Sequence, residues 1–135
     1  MKNIFGIPVG VSDHSMDAVL VPSLSVASGA QIIEKHITLS RESSGLDDKV
    51  ALDGEMFSLM VHCVRQSDAC MKRYGLEKGK SQIISQLSSS YGKEKVLEVL
   101  GSGVKSLSQG EKDNYGRTNR SLHFMKDIKA GTRIG

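Results

Sequence analysis

Polar side chains able to do chemistry follow two short apolar segments of the chain. Ser12 and His14 lie two residues apart at the end of the first segment, and Glu34 and His36 do the same at the end of the second. Because side chains alternate between the two faces of a strand, each pair is predicted to share one face. Two neutral imidazoles can hold a divalent transition metal, the carboxylate can orient water or a substrate hydroxyl, and the serine can donate to a phosphate.

The same residues also fit a structural interpretation. A histidine at the end of a strand is often a hydrogen-bonded surface or core residue, and Glu34 and His36 can form a structural hydrogen bond with each other. Spacing alone leaves both interpretations open. The other two histidines, His62 and His123, have no such neighbours in the sequence and are interpreted as structural.

A strand, a helix and a second strand are predicted to carry these residues. Residues 7–12 and 31–39 are apolar and rich in β-branched residues, which is typical of strands, and residues 17–28 form the helix between them. Pro22 must lie near the start of that helix or kink it, and Gly29 marks its end. The order implies parallel strands joined by a right-handed crossover, whose carboxyl ends meet at one edge, where α/β proteins bind ligands.

Further loop and helix signals follow. Residues 40–49 are a predicted polar loop, and Asp53 can cap a helix that stops near Gly75. Residues 81–91 are rich in serine and weakly patterned, and residues 94–100 are a predicted short helix.

The carboxyl-terminal part of the sequence is less regular. Residues 102–119 are predicted to be an exposed linker, and residues 121–134 to begin like a strand and turn at 130–131. The whole inventory contains only two parallel strands, which cannot form a stable sheet alone. The chain is therefore expected to be incomplete as a domain, or to complete its fold with another polypeptide.

Composition excludes several classes of protein. The chain has 135 residues, 39% of them hydrophobic, with 14 glycines, which is ordinary for one globular domain or part of one. No run approaches the roughly 18 apolar residues of a membrane span, and no signal-peptide core is present, so no membrane partner and a cytoplasmic location are expected. Cys63 and Cys70 have neither disulfide-framework nor zinc-knuckle spacing, which predicts reduced, buried thiols.

Charge is distributed unevenly. Residues 1–60 carry a formal charge of −4 and residues 61–135 one of +7. A basic half can steer an anionic partner, either nucleic acid or a phosphorylated metabolite. The basic residues are scattered, and three Phe and three Tyr offer little for base stacking, so a solvated helix face with a basic tail is the simpler interpretation.

Five segments resemble, in order and spacing, the N-acetylneuraminate (sialic acid) synthase family, which includes spore-coat polysaccharide, pseudaminic acid and legionaminic acid synthases. The segments are residues 10–15 (GVSDHS), 29–39 (GAQIIEKHITL), 45–47 (GLD), 119–122 (NRSL) and 126–131 (KDIKAG). The SDH and EKHIT motifs together are specific to that family. The resemblance is weakest between residues 75 and 105.

This resemblance implies an α/β fold in which the chain is the carboxyl-terminal fragment of a (β/α)₈ TIM barrel. Family members have such a barrel, which takes about 250 residues, followed by a small antifreeze-like (SAF) domain. Residues 1–75 would be the last two βα units of the barrel, residues 76–119 an insertion and linker that is helical in part, and residues 120–135 the beginning of the SAF domain.

The resemblance also implies a carbon–carbon bond-forming transferase. Family members condense phosphoenolpyruvate with an N-acylated amino sugar in its open-chain aldehyde form. His14 and His36 would hold a divalent ion, Mn²⁺ by preference with Mg²⁺ or Co²⁺ as alternatives, which polarises the aldehyde. Glu34 would act near the reacting carbons as the catalytic residue. Ser12 would contact the phosphate side of the substrate, and Asp47 the sugar hydroxyls.

The chain departs from the family pattern in three respects. Leu46 stands where the family usually has proline, and residues 75–101 are longer than the usual connection and are interpreted as a surface insertion. The groups that earlier barrel strands supply to phosphoenolpyruvate, and the SAF-domain arginine that reaches a neighbouring subunit, are missing. By itself the chain is expected to be inactive, and to act as a homodimer or with a complementary amino-terminal chain.

Two other classes of function stay open at this point. The chain can be a non-catalytic truncated remnant that binds metal or an intact synthase subunit. Less favoured is a basic nucleic-acid-binding module built on the second half, whose affinity would fall steeply with salt.

Overall fold

A computed structural model describes residues 2–104, 106–117 and 123–133 of the chain. The elements run in the order α1 (Lys2–Phe5), β1 (Gly10–Asp13), α2 (Leu20–Ala27), β2 (Ile32–Lys35), a 3₁₀ turn (Asp48–Val50), α3 (Gly54–Tyr74), α4 (Leu76–Tyr91), α5 (Lys93–Leu100) and α6 (Gln109–Asn114). The chain divides into two compact units, residues 1–102 and residues 103–135. The first unit is a mixed α/β structure with a small parallel sheet and several helices.

The predicted βαβ unit is confirmed. β1 and β2 are parallel neighbours in a two-stranded sheet, with Ser12 opposite Glu34 and Asp13 opposite Lys35. Each strand has four residues, fewer than predicted. After β2 the chain changes partner, because the backbone of Leu52 receives Thr38 N–H and donates to the carbonyl of His36 at 2.9 and 3.1 Å.

Polar contacts fix the start of α2. One carboxylate oxygen of Asp17 accepts the backbone N–H groups of Val19 and Leu20, both at 2.7 Å. Pro22 lies in the first turn, where a helix N–H has no partner within the helix, so it neither breaks nor kinks α2. The helix ends before Gly29, whose φ of +87° favours glycine.

The predicted long helix is confirmed at both ends. Asp53 is the N-cap of α3 and accepts the backbone N–H of Met56 at 2.9 Å. That hydrogen bond, together with one from Arg41 at 3.1 Å, lowers the pKa of the Asp53 carboxyl. Gly75, with φ +77°, ends α3 and begins the turn into α4.

Residues 75–101, interpreted as a surface insertion, are largely exposed, but one face of their helices is buried. Helices α4 and α5 pack against α2 and form with it a cluster that we call the helical core: Leu20, Leu24, Ala27, Ile83, Leu87 and Val96. Gly79 lets α4 approach α3, since a Cβ there would lie 2.9 Å from the Cα of Met71. Whether residues 76–101 are inserted relative to the family stays a prediction.

A second, smaller cluster packs α3 against the residues that precede α2 and α3. It consists of Ala18, Leu52 and Met60, with Phe57 and Val61 partly buried beside them. The two clusters pack α2 against α3, α4 and α5, and α2 also contacts β1.

The second compact unit has little regular structure in its described part. Residues 106–117 are exposed, as predicted for a linker, although they include the short helix α6 with a capping box between Ser108 and Glu111. The predicted turn at 130–131 is present, with Thr132 N–H donating to the Lys129 carbonyl at 3.1 Å. Residues 121 and 122, where the predicted strand begins, lie outside the described residues, and residues 123–133 contain no strand.

Within the described ranges, no helix combines the length and the apolar character that crossing a bilayer requires.

Candidate functional site

The two histidines singled out in the sequence face each other. His14 follows the last residue of β1 and His36 follows the last residue of β2. Their Nε2 atoms are 3.4 Å apart, and the rings are perpendicular with centroids 4.7 Å apart. The predicted sharing of one face is therefore confirmed. We call Ser12, His14, Glu34 and His36 the imidazole rim.

The separation of the two Nε2 atoms suits a shared metal ion. Two imidazole nitrogens bound at about 2.1 Å to one tetrahedral ion are about 3.4 Å apart, and that is the separation observed. In the described part of the chain, no group of three or more His, Cys, Asp or Glu side chains is arranged to hold a metal. The chain thus offers a pair of nitrogen ligands, and further ligands would come from substrate, water or other protein groups.

Glu34 is oriented by Ser12. The Ser12 hydroxyl donates to Glu34 Oε1 at 2.7 Å, across the register pair that the two residues form between β1 and β2. Both side chains are exposed on the same face as the imidazoles. A carboxylate held in this way keeps its second oxygen open toward solvent, where it can accept a proton or position a water molecule.

Asp47 also reaches the rim. Its Oδ2 is 3.8 Å from Nδ1 of His36, the ring nitrogen that points away from His14. This distance is too long for a hydrogen bond, so Asp47 contributes charge beside the ring without fixing its tautomer. The carboxylate is 60% exposed and is carried by the loop of residues 40–49, where Asp48 accepts the N–H of Gly45 at 2.9 Å.

Sequence reasoning missed a polar arrangement on the opposite face of the strands. Asp13 and Lys35 form an ion pair at 2.7 Å, with side chains 3% and 1% exposed. Strand alternation predicted that both residues point away from the imidazoles. Their opposite charges on neighbouring strands were the signal from which this ion pair could have been predicted.

The remaining candidate residues lie outside this cluster. His62 is exposed on α3, and Cys63 and Cys70 are free thiols that are partly buried. Burial, together with the charge of Asp17, raises the pKa of the Cys63 thiol, so it is protonated and unreactive at neutral pH.

The amino-terminal part of the chain also matches a known family. The NeuB family matches residues 1–75, which is more than half of the chain and includes the whole imidazole rim. The chain belongs to the NeuB family. This confirms the resemblance to sialic acid synthases drawn from the SDH and EKHIT motifs.

Individual NeuB relatives agree with this assignment. The chain is 29% identical over 130 residues to the N,N'-diacetyllegionaminic acid synthase of Legionella pneumophila, covering 96% of the chain and 28% of the relative. It is 41% identical over 71 residues to the pseudaminic acid synthase of Campylobacter jejuni (53% of the chain, 20% of the relative). It is 34% identical over 90 residues to the spore coat polysaccharide biosynthesis protein SpsE of Bacillus subtilis (67% and 23%).

The chain spans less than a third of the length of the curated NeuB relatives it matches. No solved structure matches it at a significant level.

Proposed function

We propose that this chain is part of a nonulosonate synthase that condenses phosphoenolpyruvate with an N-acylated amino sugar aldehyde. The observation that carries the proposal is the 3.4 Å approach of His14 Nε2 to His36 Nε2 at the carboxyl ends of two parallel strands. Membership of a family whose named relatives are legionaminic and pseudaminic acid synthases supports the reaction class.

His14 and His36 would hold a divalent metal ion, Mn²⁺ by preference as the family resemblance implies, with Mg²⁺ or Co²⁺ as alternatives; imidazole nitrogens suit transition metals. When bound, such an ion supplies Lewis-acid polarisation of the sugar aldehyde, so that C3 of phosphoenolpyruvate can attack it. The exposure of the rim leaves room for a substrate oxygen beside the two nitrogens.

The other rim residues would act on the substrates directly. Glu34, held by the Ser12 hydroxyl, would orient the water that adds to the intermediate before phosphate is lost. The Ser12 hydroxyl would exchange this partner for the phosphate side of phosphoenolpyruvate. Asp47, exposed beside His36, would accept hydrogen bonds from hydroxyls of the open-chain sugar.

The proposed architecture is a (β/α)₈ barrel whose last two βα units are β1–α2 and β2–α3. The parallel register and the contact of α2 with β1 support it. Residues 120–135 would begin an SAF domain. The protein would act in the cytoplasm. A homodimer, or a complementary amino-terminal chain, would complete the site.

An assay of phosphate release from phosphoenolpyruvate tests the proposal. It is run with several N-acylated hexosamines and Mn²⁺, with and without a chain that carries the amino-terminal barrel portion of a family member. We expect release only with both chains and the metal. His36→Ala should reduce it at least about 100-fold, since it removes a ligand rather than an outer-shell partner, whose removal costs roughly 10–100-fold.

His62→Ala is the matched control, because this exposed histidine lies on α3 outside the rim, and it should leave phosphate release unchanged. Equal activity of the His36→Ala and His62→Ala proteins would contradict the proposed site. Mn²⁺ binding without any phosphate release in the complemented protein would favour the non-catalytic remnant instead.

A further inference from the structure

A buried ion pair lies directly behind the imidazole rim. Lys35 Nζ is 2.7 Å from Asp13 Oδ2, and these are the last two residues paired in the β1–β2 register. His14 directly follows Asp13 along the chain, and His36 directly follows Lys35. The ion pair is therefore the last side-chain connection between the strands before the two imidazoles.

Both partners also hold the backbone just beyond His14. Asp13 Oδ1 accepts the N–H of Ser15 at 2.8 Å, and Lys35 Nζ donates to the Ser15 carbonyl. The Ser15 hydroxyl lies 3.4 Å from the same Nζ. His14 thus stands between two residues that are both tied to Lys35, and Lys35 itself directly precedes His36.

The energetics of a buried ion pair indicate that it fixes the positions of its neighbours rather than stabilising the fold. Removing two charges from water costs several kcal/mol for each ion, and replacing a buried pair by apolar residues of similar size is often neutral or stabilising. The three hydrogen bonds of the Lys35 ammonium recover part of that cost and fix the geometry of the loop that bears His14.

We propose that Asp13 and Lys35 are positioning residues that set the distance and mutual orientation of the His14 and His36 rings. They do so from the opposite face of the strands, by holding the backbone on both sides of His14 to the residue before His36. The geometric part stands on the contacts above, and its consequence for metal binding rests on the proposed function.

The test compares two Asp–Lys ion pairs of the full chain that have the same nitrogen–oxygen distance, 2.7 Å. The double variant Asp13→Leu/Lys35→Met removes the buried pair and keeps the volume apolar. The control, Asp68→Leu/Lys72→Met, removes the pair on α3, which also measures 2.7 Å but is exposed. Three quantities are measured for each: the urea unfolding midpoint, the Mn²⁺ dissociation constant, and the nuclear Overhauser cross-peak between the two imidazoles without metal.

We expect the Asp13→Leu/Lys35→Met protein to keep or raise its unfolding midpoint while its Mn²⁺ affinity falls about 10- to 100-fold, the loss typical of residues that orient metal ligands. The cross-peak between the rings should weaken or vanish. The Asp68→Leu/Lys72→Met protein should match the wild type in metal affinity and in the cross-peak.

A folded Asp13→Leu/Lys35→Met protein with an unchanged cross-peak would overturn the proposal. If that variant does not fold, Asp13→Asn, which keeps an oxygen for the Ser15 N–H, decides by the same readouts. If the wild type itself binds no Mn²⁺, the proposed function fails, whereas the cross-peak in the metal-free protein still tests whether the pair positions the rings.

Discussion

The helical core and the imidazole rim are held by different interactions, although they share the same βαβ unit. In the helical core, six apolar side chains, each less than 9% exposed, pack between α2, α4 and α5. In the rim, polar side chains lie exposed on one face of β1 and β2, and they are held by hydrogen bonds and by the ion pair behind them.

This contrast indicates that the helical core provides stability, whereas the rim provides the groups for chemistry. Burial of apolar area stabilises the fold, and its cost on truncation follows from lost contacts and the cavity left behind. Exposed polar groups contribute little to stability, so their arrangement at the rim is free to serve chemistry. Substitutions in the helical core should therefore lower the free energy of unfolding without changing the rim, whereas substitutions that disturb the strand pairing should change the geometry of the rim.

The largest expected effect is in the helical core. Leu87→Ala should lower the free energy of unfolding by about 2–5 kcal/mol, because it removes a buried side chain and leaves a cavity between α2 and α4. Leu97→Ala on the neighbouring helix is the control, since Leu97 is 51% exposed, and it should change stability little. Urea unfolding measures both.

In the folded Leu87→Ala protein, the cross-peak between the two imidazoles should persist. A lost cross-peak in that variant, at a urea concentration where the protein is folded, would show that the two regions are not independent.

The rim was the part of the molecule most readily predicted from sequence. A period of two along each strand decides which side chains share a face, and parallel pairing brings the ends of both strands to one edge. These two rules bring the four residues to one face and one edge, and the register of the structure then sets Ser12 opposite Glu34. The same rules placed Asp13 and Lys35 together, although that consequence was not drawn from the sequence.

The helical core was harder to predict because its helices depend on distant contacts. In α4 the apolar residues Ile83 and Leu87 are correctly spaced, but the serines among them have weak helix propensity, and packing against α2 decides the outcome. The end of β2 was missed for a similar reason, since Leu52, a residue far along the chain, takes over the pairing after Lys35.

Gly10 in β1 allows a test of whether the strand pairing sets the geometry of the rim. A Cβ at Gly10 would meet the backbone oxygen of Ile32 and lie 2.7 Å from its Cβ, so Gly10→Ala forces the strands to shift. We expect a loss of about 1–3 kcal/mol in the free energy of unfolding, as for other overpacked sites. The imidazole cross-peak should change as well, because Ser12 and Glu34 pair two residues further along.

Gly54→Ala is the matched control, because a Cβ at the start of α3 meets nothing within 4 Å. It should leave both the cross-peak and the stability unchanged, or raise the stability slightly. An unaltered cross-peak in a destabilised Gly10→Ala protein would mean that the rim is positioned independently of the strand pairing.

The smallest expected effect concerns a polar contact inside the otherwise apolar helical region. The hydroxyl of Tyr91, at the end of α4, donates to Asp17 Oδ1 at 3.3 Å, the oxygen that also caps α2. Tyr91→Phe should lower the free energy of unfolding by about 0.5–1.5 kcal/mol, the usual net contribution of one hydrogen bond. It should leave the imidazole cross-peak unchanged.

The pH dependence of this contact has a definite sign. Burial, and then the negative charge of Asp17, raise the pKa of Tyr91 above its unfolded value of about 10. Because the folded state holds the proton more tightly, the stabilisation is complete below pH 10 and is lost as the pH rises through the folded pKa. The difference in unfolding free energy between wild type and Tyr91→Phe should be constant from pH 7 to 9 and shrink above pH 10. A difference that grows above pH 10 would mean that the phenolate, rather than the phenol, is favoured beside Asp17, which would contradict the raised pKa of Tyr91.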